Sequence, residues 1–216
     1  MTTIRIVAAA ATAAFLLGAG AALASPAGDA AISAFSSAWN GVHTYTCTIT
    51  AHEVQGSKVQ DRVYHAVFKR PNNVRMDIVS GAGKGGAAIW NGGDTVYGHQ
   101  GGFLSFIRLH LNIHDAKAIS LRGTTIAQAS FGALLQRFKD LKTSSLDAKM
   151  ASGQTTVTAD VLDPASNQGV TSEVLILGAD HLPVGYDQYV GTKNVNHVRY
   201  SDYKGNVAIP DSTWKL

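Results

Sequence analysis

The sequence predicts a chain built mainly of β-strands with helices added, an α+β fold. Short runs of alternating apolar and polar residues recur along it, bounded by Gly, Asn and Asp clusters. Only two stretches carry apolar residues at helical spacing, and no repeat or low-complexity tract divides the chain. The order is helix, several strands, helix, several strands. Both halves are expected to share one core, because neither alone would cover its apolar face.

From Asp29 to Trp39 the residues Ile32, Phe35 and Trp39 fall on one helical face, which predicts a short amphipathic helix packed on something larger. Strands are expected at His43–Glu53, Lys58–Arg70, Asn73–Ser80, Ala87–Trp90 and Thr95–Gln100, joined by tight turns such as Gly81–Gly86 and Asn91–Asp94. Residues Gly102 to Leu121 fit either a short strand with turns or a partly helical excursion. Thr125-x-x-Gln128 has the form of a capping box, and Phe131, Leu134, Leu135, Phe138 and Leu141 form an apolar stripe behind it, so a second helix is expected there. Strands then follow at Thr155–Leu162, Ser172–Leu177, Val184–Val190 and Val195–Tyr203.

The N-terminus reads as a secretory signal. Arg5 precedes an apolar run from about Ile6 to Leu17, and Ala22-Leu23-Ala24 makes an A-x-A-like cleavage site before Ser25. The run is short for a membrane span, which needs about 20 apolar residues. The expected division is therefore a signal peptide over residues 1–24 and one mature domain over 25–216. No cysteine stands at the cut, so no lipid anchor is expected there.

The formal net charge is +3, and loss of Arg5 lowers it by one unit. Lysines and arginines are scattered among the acids rather than gathered into a stripe, which argues against a nucleic-acid partner. Cys47 is the only cysteine, so no internal disulfide forms. It shares the phase of Tyr45, Ile49 and Ala51, opposite a row of threonines, and reads as a buried, inert thiol in preference to a redox or metal-binding one.

Several patterns that could carry chemistry fail on context. Gly81-Ala-Gly83-Lys-Gly-Gly86 matches G-x-G-x-x-G, but a strand and another turn follow where a dinucleotide site needs a helix. It reads as a hairpin loop. His110 and His114 could meet on one metal if helical, yet the glutamate of H-E-x-x-H is missing, and in an extended segment the rings stand about 13 Å apart. Ser201-x-x-Lys204 has Ser/Lys spacing but sits in a strand-like tail, and no G-x-S-x-G occurs. No catalytic residue, metal or cofactor is expected.

One ordered set of motifs resembles a known family. Phe68-Lys69-Arg70-Pro71-Asn72 ends one strand and opens Asn73–Ile78, and Ile89-Trp90-Asn91-Gly92-Gly93-Asp94-Thr95-Val96-Tyr97 follows the glycine loop. With Val42–Tyr45 before them and Tyr203-Lys204-x-Asn206-x-x-Ile209-Pro210-Asp211-x-x-Trp214 at the end, these resemble the LolA-type periplasmic lipoprotein carriers and their wider superfamily. The match is good over about residues 30–100, weaker over 184–214 and poor between. It implies an unclosed, strongly curved antiparallel half-barrel covered by helices, which holds acyl chains and performs no reaction. It also implies a latch role for Arg70, whose counterpart steadies the closed state; the plainer reading is a surface turn residue. The chain stops at Leu216, without the C-terminal extension of the best-known carriers, which puts lipoprotein delivery in question.

Tyr45, Ile49, Phe68, Met76, Ile78 and Ile89 would line the concave face of such a sheet, with Phe131 and Leu135 on the covering helix. A solid core shows the same pattern as a ligand cavity. The two functional expectations are therefore an exported carrier or sensor of a hydrophobic acyl ligand, lipid or lipoprotein, and an interaction domain on the same fold with a filled core. The first leaves room for a membrane-bound donor or acceptor protein as partner.

Overall fold

The computed structural model describes residues 26 to 216. The signal peptide and the cut before Ser25 lie outside the described residues. Among the described residues, eleven strands form one antiparallel sheet. They are β1 (Thr44–Gln55), β2 (Lys58–Lys69), β3 (Asn73–Gly81), β4 (Ala87–Trp90), β5 (Thr95–His99), β6 (Leu109–Asn112), β7 (Thr143–Ala151), β8 (Gln154–Val161), β9 (Ser172–Leu177), β10 (Pro183–Val190) and β11 (Lys193–Gly205). The described residues also form two α-helices, α1 (Pro26–Asn40) and α2 (Phe131–Asp140).

The sheet order is β6-β5-β4-β3-β2-β1-β11-β10-β9-β8-β7, two meanders joined where β1 meets β11. Strands β6 and β7 are its free edges, so the sheet does not close. Register shifts interrupt β1–β11, β2–β3, β9–β10, β10–β11 and β7–β8, and each such irregularity bends a strand and adds twist. The result is the half-barrel expected from the sequence. The chain linking the two edge strands, residues 113–142, runs across the concave side and carries α2.

Both helices pack on that concave face. Ile32, Phe35 and Trp39 of α1 and Phe131, Leu134, Leu135 and Phe138 of α2 join Tyr45, Cys47, Ile49, Phe68, Leu175 and Leu177 in one core. Two glycines permit the close approach. A β-carbon at Gly28 would run into the Leu146 carbonyl of β7, and one at Gly132 would meet the Trp39 ring at 2.9 Å.

Two expectations about elements need correction. The Thr125/Gln128 box is present, but it caps only a 3-10 turn, Ile126–Ala129, and α2 starts afresh at Phe131 with Ser130 accepting from the Ala133 amide. Strand β7 escaped the sequence reading because its alternation is weak: only Leu146 of Thr143–Ala151 is buried, and Met150 in the same phase is exposed. The ambiguous stretch after β5 resolves into a short 3-10 turn, Gly102–Leu104, and the four-residue β6.

Candidate ligand cavity

The half-barrel has a filled end and a hollow end. Antiparallel pairing puts the start of β1, the β2–β3 turn and the C-terminal end of α1 together at the filled end. Trp39, Tyr45, Phe68, Phe131 and Tyr203 pack there as a ring cluster, with Tyr45 stacked on Phe68 at 5.1 Å and on Phe131 at 4.7 Å. Burial pushes the Tyr45 and Tyr200 hydroxyls well above their ordinary range and the Cys47 thiol up to about 12, with Asp202 adding to the last. Cys47 is accordingly a packing residue at neutral pH.

At the other end the β1–β2 hairpin, the β3–β4 glycine turn and the β5–β6 loop surround a cavity of about 1560 Å³. Ile49, Met76, Ile78, Ala88, Val198 and Tyr200 give it an apolar wall, and Leu134 of α2 with residues 116–129 covers it. The volume exceeds the usual range for drug-sized ligands, about 300–1,000 Å³.

Of the expected lining residues, Ile49, Met76 and Ile78 reach this cavity. Tyr45, Phe68, Phe131 and Leu135 do not; they are 1–5 % exposed in the filled end and α2 core, where rings pack against rings. Ile89 lies on the opposite face. Beside it run Tyr97 and the C-terminal Trp214, and Arg75 holds that tail by donating to the Thr213 and Lys215 carbonyls. The phase of β4 puts Ala88 and Trp90 inward, so the isoleucine must face out.

Arg70 sits at the filled end, away from the mouth. Its Nε donates to the Val42 carbonyl at 2.5 Å and its Nη2 to the Trp39 carbonyl at 2.7 Å, while its guanidinium lies 4.6 Å over the Trp39 ring. It therefore ties the last turn of α1 to the β2–β3 turn.

A row of buried polar side chains crosses the concave wall at the hollow end. Glu53 on β1 is paired with Asn196 on β11, Asn196 with Gln188 on β10, and Gln188 with Glu173 on β9. Asn196 Nδ2 donates to Gln188 Oε1 at 3.2 Å. Glu173, fully buried, accepts from Arg137 of α2, from the Tyr186 hydroxyl at 2.7 Å and from Asn167 at 2.9 Å. Glu53 accepts from Ser120 Oγ at 2.7 Å and from the Arg122 amide at 3.4 Å, while Leu121 donates to Gln60 and Gln168 to the Arg122 carbonyl. Residues 116–124 thus hang over the cavity as a strap pinned to β1 by one carboxylate. The sequence reading missed this row. Its signal was an acid in the inward phase: Glu53 continues Tyr45, Cys47, Ile49 and Ala51, and Glu173 continues Leu175 and Leu177.

His110 stands on β6 with its ring 4.9 Å from Tyr97, and His114 follows in the next turn. Among the described residues, no three of His, Cys, Asp and Glu gather as a metal set. Ser201 donates to Asp202 on an exposed stretch of β11, and Gly81–Gly86 is the β3–β4 turn with Gly81, Gly83 and Gly85 at positive φ. No helix among the described residues is long and apolar enough to cross a membrane.

No family model and no curated protein matches the chain. Solved structures similar to it include a LolA superfamily protein from Nitrosomonas europaea, at 12% identity and TM-score 0.43, covering 89% of this chain and 99% of that one. LprF from Mycobacterium bovis matches at 14% identity and TM-score 0.44, over 87% of this chain and 98% of its own. The Mycobacterium tuberculosis lipoprotein LppX matches at 12% identity and TM-score 0.42, over 84% and 97%.

Proposed function

We propose that this protein is a non-enzymatic carrier or sensor of a hydrophobic acyl ligand, a lipid or the acyl part of a lipoprotein, in the periplasm of a bacterial cell envelope. One observation carries the reading: a cavity of about 1560 Å³, walled by apolar side chains of the sheet, remains between the concave face and its cover. An interaction domain with a filled core would have closed that space, as the aromatic cluster does at the other end. Chain segments that cover the cavity are turns and one short helix, which suits entry and exit of a long flexible molecule. The signal-like N-terminus supports an exported location.

Native mass spectrometry of protein purified gently from its own envelope tests this. The expected spectrum carries an added mass that organic solvent releases and that fragments as an acyl lipid. A bare polypeptide mass, together with no binding of any acyl probe, would sink the carrier reading and favour the interaction domain.

A further inference from the structure

Arg122 is 7 % exposed and lines the cavity at the centre of the strap. Its Nη1 donates to the Val54 carbonyl at 3.1 Å, but Nε and Nη2 are closed off from solvent and donate to nothing. Glu53 bonds the Arg122 backbone amide and Ser120 instead of the guanidinium, and no ion pair among the described residues involves Arg122. A buried guanidinium with two donor nitrogens unanswered is unfavourable unless an acceptor arrives. Directly opposite Glu53 in the polar row the opposite defect occurs at Asn196, whose Oδ1 is buried without a donor.

The surrounding charge has the same sense. Lys58, Arg62, Lys84 and Lys117 line the cavity as well, whereas its acids are Glu53, already engaged by the strap, and Asp140, which accepts from Gln136. Arg137 is spent on Glu173. An apolar wall on β1 to β4 faces a polar, net basic end, and a molecule matching both has a hydrocarbon body and an anionic head.

We infer that the cavity takes an anionic amphiphile, with its acyl chain along Ile49, Met76 and Ile78 and its carboxylate or phosphate meeting the Nε/Nη2 edge of Arg122 once the strap shifts to uncover it. This rests on the carrier reading and narrows it, since a triacylglycerol-like or otherwise neutral lipid would leave the guanidinium unanswered. A planar fork matches either oxyanion in bidentate fashion.

The test displaces a neutral fluorescent acyl dye with three probes of one chain length: oleate, oleoyl lysophosphatidate and monooleoylglycerol, each below its micelle concentration. Wild-type protein should bind one or both anions about tenfold or more tighter than the neutral probe, as a charge-assisted pair requires. A preference confined to oleate names the carboxylate, and one confined to the lysophosphatidate names the phosphate. Arg122→Met should erase the preference while keeping affinity for monooleoylglycerol, and Arg122→Lys should restore part of it. Equal wild-type affinity for all three probes overturns the inference and leaves the carrier reading standing, as does a preference that survives in Arg122→Met. If none of the probes binds wild type, both fall together. Should Arg122→Met fail to fold, the wild-type ranking and the Lys variant decide alone.

Discussion

The hydroxyl of Tyr45 accepts the backbone amide of Phe131 at 3.2 Å, and the two rings stack 4.7 Å apart. The first residue of α2 has no intrahelical acceptor for its N–H, so this strand residue supplies one. Tyr45→Phe keeps the stack and removes the acceptor. Denaturant melts should show a loss of about 1–3 kcal/mol, the cost of an unanswered buried donor. Affinity for a cavity probe should stay unchanged, because the filled end does not touch the ligand. An unaltered midpoint would show that the bond contributes nothing.

Arg70 meets two carbonyls at the end of α1 at once, which a lysine ammonium on a flexible stem does poorly. Arg70→Leu should lower stability by about 1.5–3 kcal/mol with far-UV circular dichroism retained. If α1 moves with the cover, as the latch role implied by the family resemblance requires, release of an environment-sensitive acyl dye accelerates as well. Lower stability with unchanged release would reduce Arg70 to an anchor of α1.

Glu53 holds the strap through Ser120 and the Arg122 amide. In Glu53→Ala, amide hydrogen exchange across residues 120–124 should rise by about one to two orders of magnitude, the effect of losing a bond to a charged acceptor. Dye entry and exit should quicken in parallel. Exchange confined to its wild-type rate would mean that the strap is held by packing alone.

Acid should act on Glu173. Burial alone pushes its carboxyl up, but hydrogen bonds and charge from Arg137, then Tyr186 and Asn167, outweigh this and hold it below its ordinary value of 4.5. A lowered folded-state pKa means that the unfolded chain binds the proton first. The stability it lends is therefore complete above about pH 4.5 and drains away as pH falls through the folded value. Glu173→Gln should lose about 3 kcal/mol at neutral pH, the lower end for breaking a buried pair, since Arg137 keeps 32% of its side chain exposed. Its melting temperature should then fall less than that of wild type between about pH 5 and about pH 3. Parallel acid limbs would remove Glu173 from that account.

Legibility from sequence followed the strength of each periodicity. Strands with inward apolar residues, such as Thr44–Gln55 and Ser172–Leu177, were visible because period-two alternation marks them. Strand β7 was not, since edge strands need few apolar contacts and Leu146 alone cannot show a period. Ile49, Met76 and Ile78 could be placed on the cavity wall, but the same pattern covers Tyr45 and Phe68, which only three-dimensional packing assigns to the filled end. Arg122 carried no local signal. Its meaning comes from a strap that folds back over β1, and sequence separation hides that contact.

Every strand in the sheet except at one seam pairs with its neighbour in sequence. The exception joins β1 to β11, and beside it His43 donates to Asn206, 163 residues away. Each meander can therefore assemble from local hairpins, whereas the seam must close a loop of most of the chain, with the entropy that such closure loses. Folding is expected to be slow at that single docking event. Changes along the seam, at Thr48 or Thr50 for example, would delay assembly, while changes in the outer hairpins would chiefly hasten unfolding.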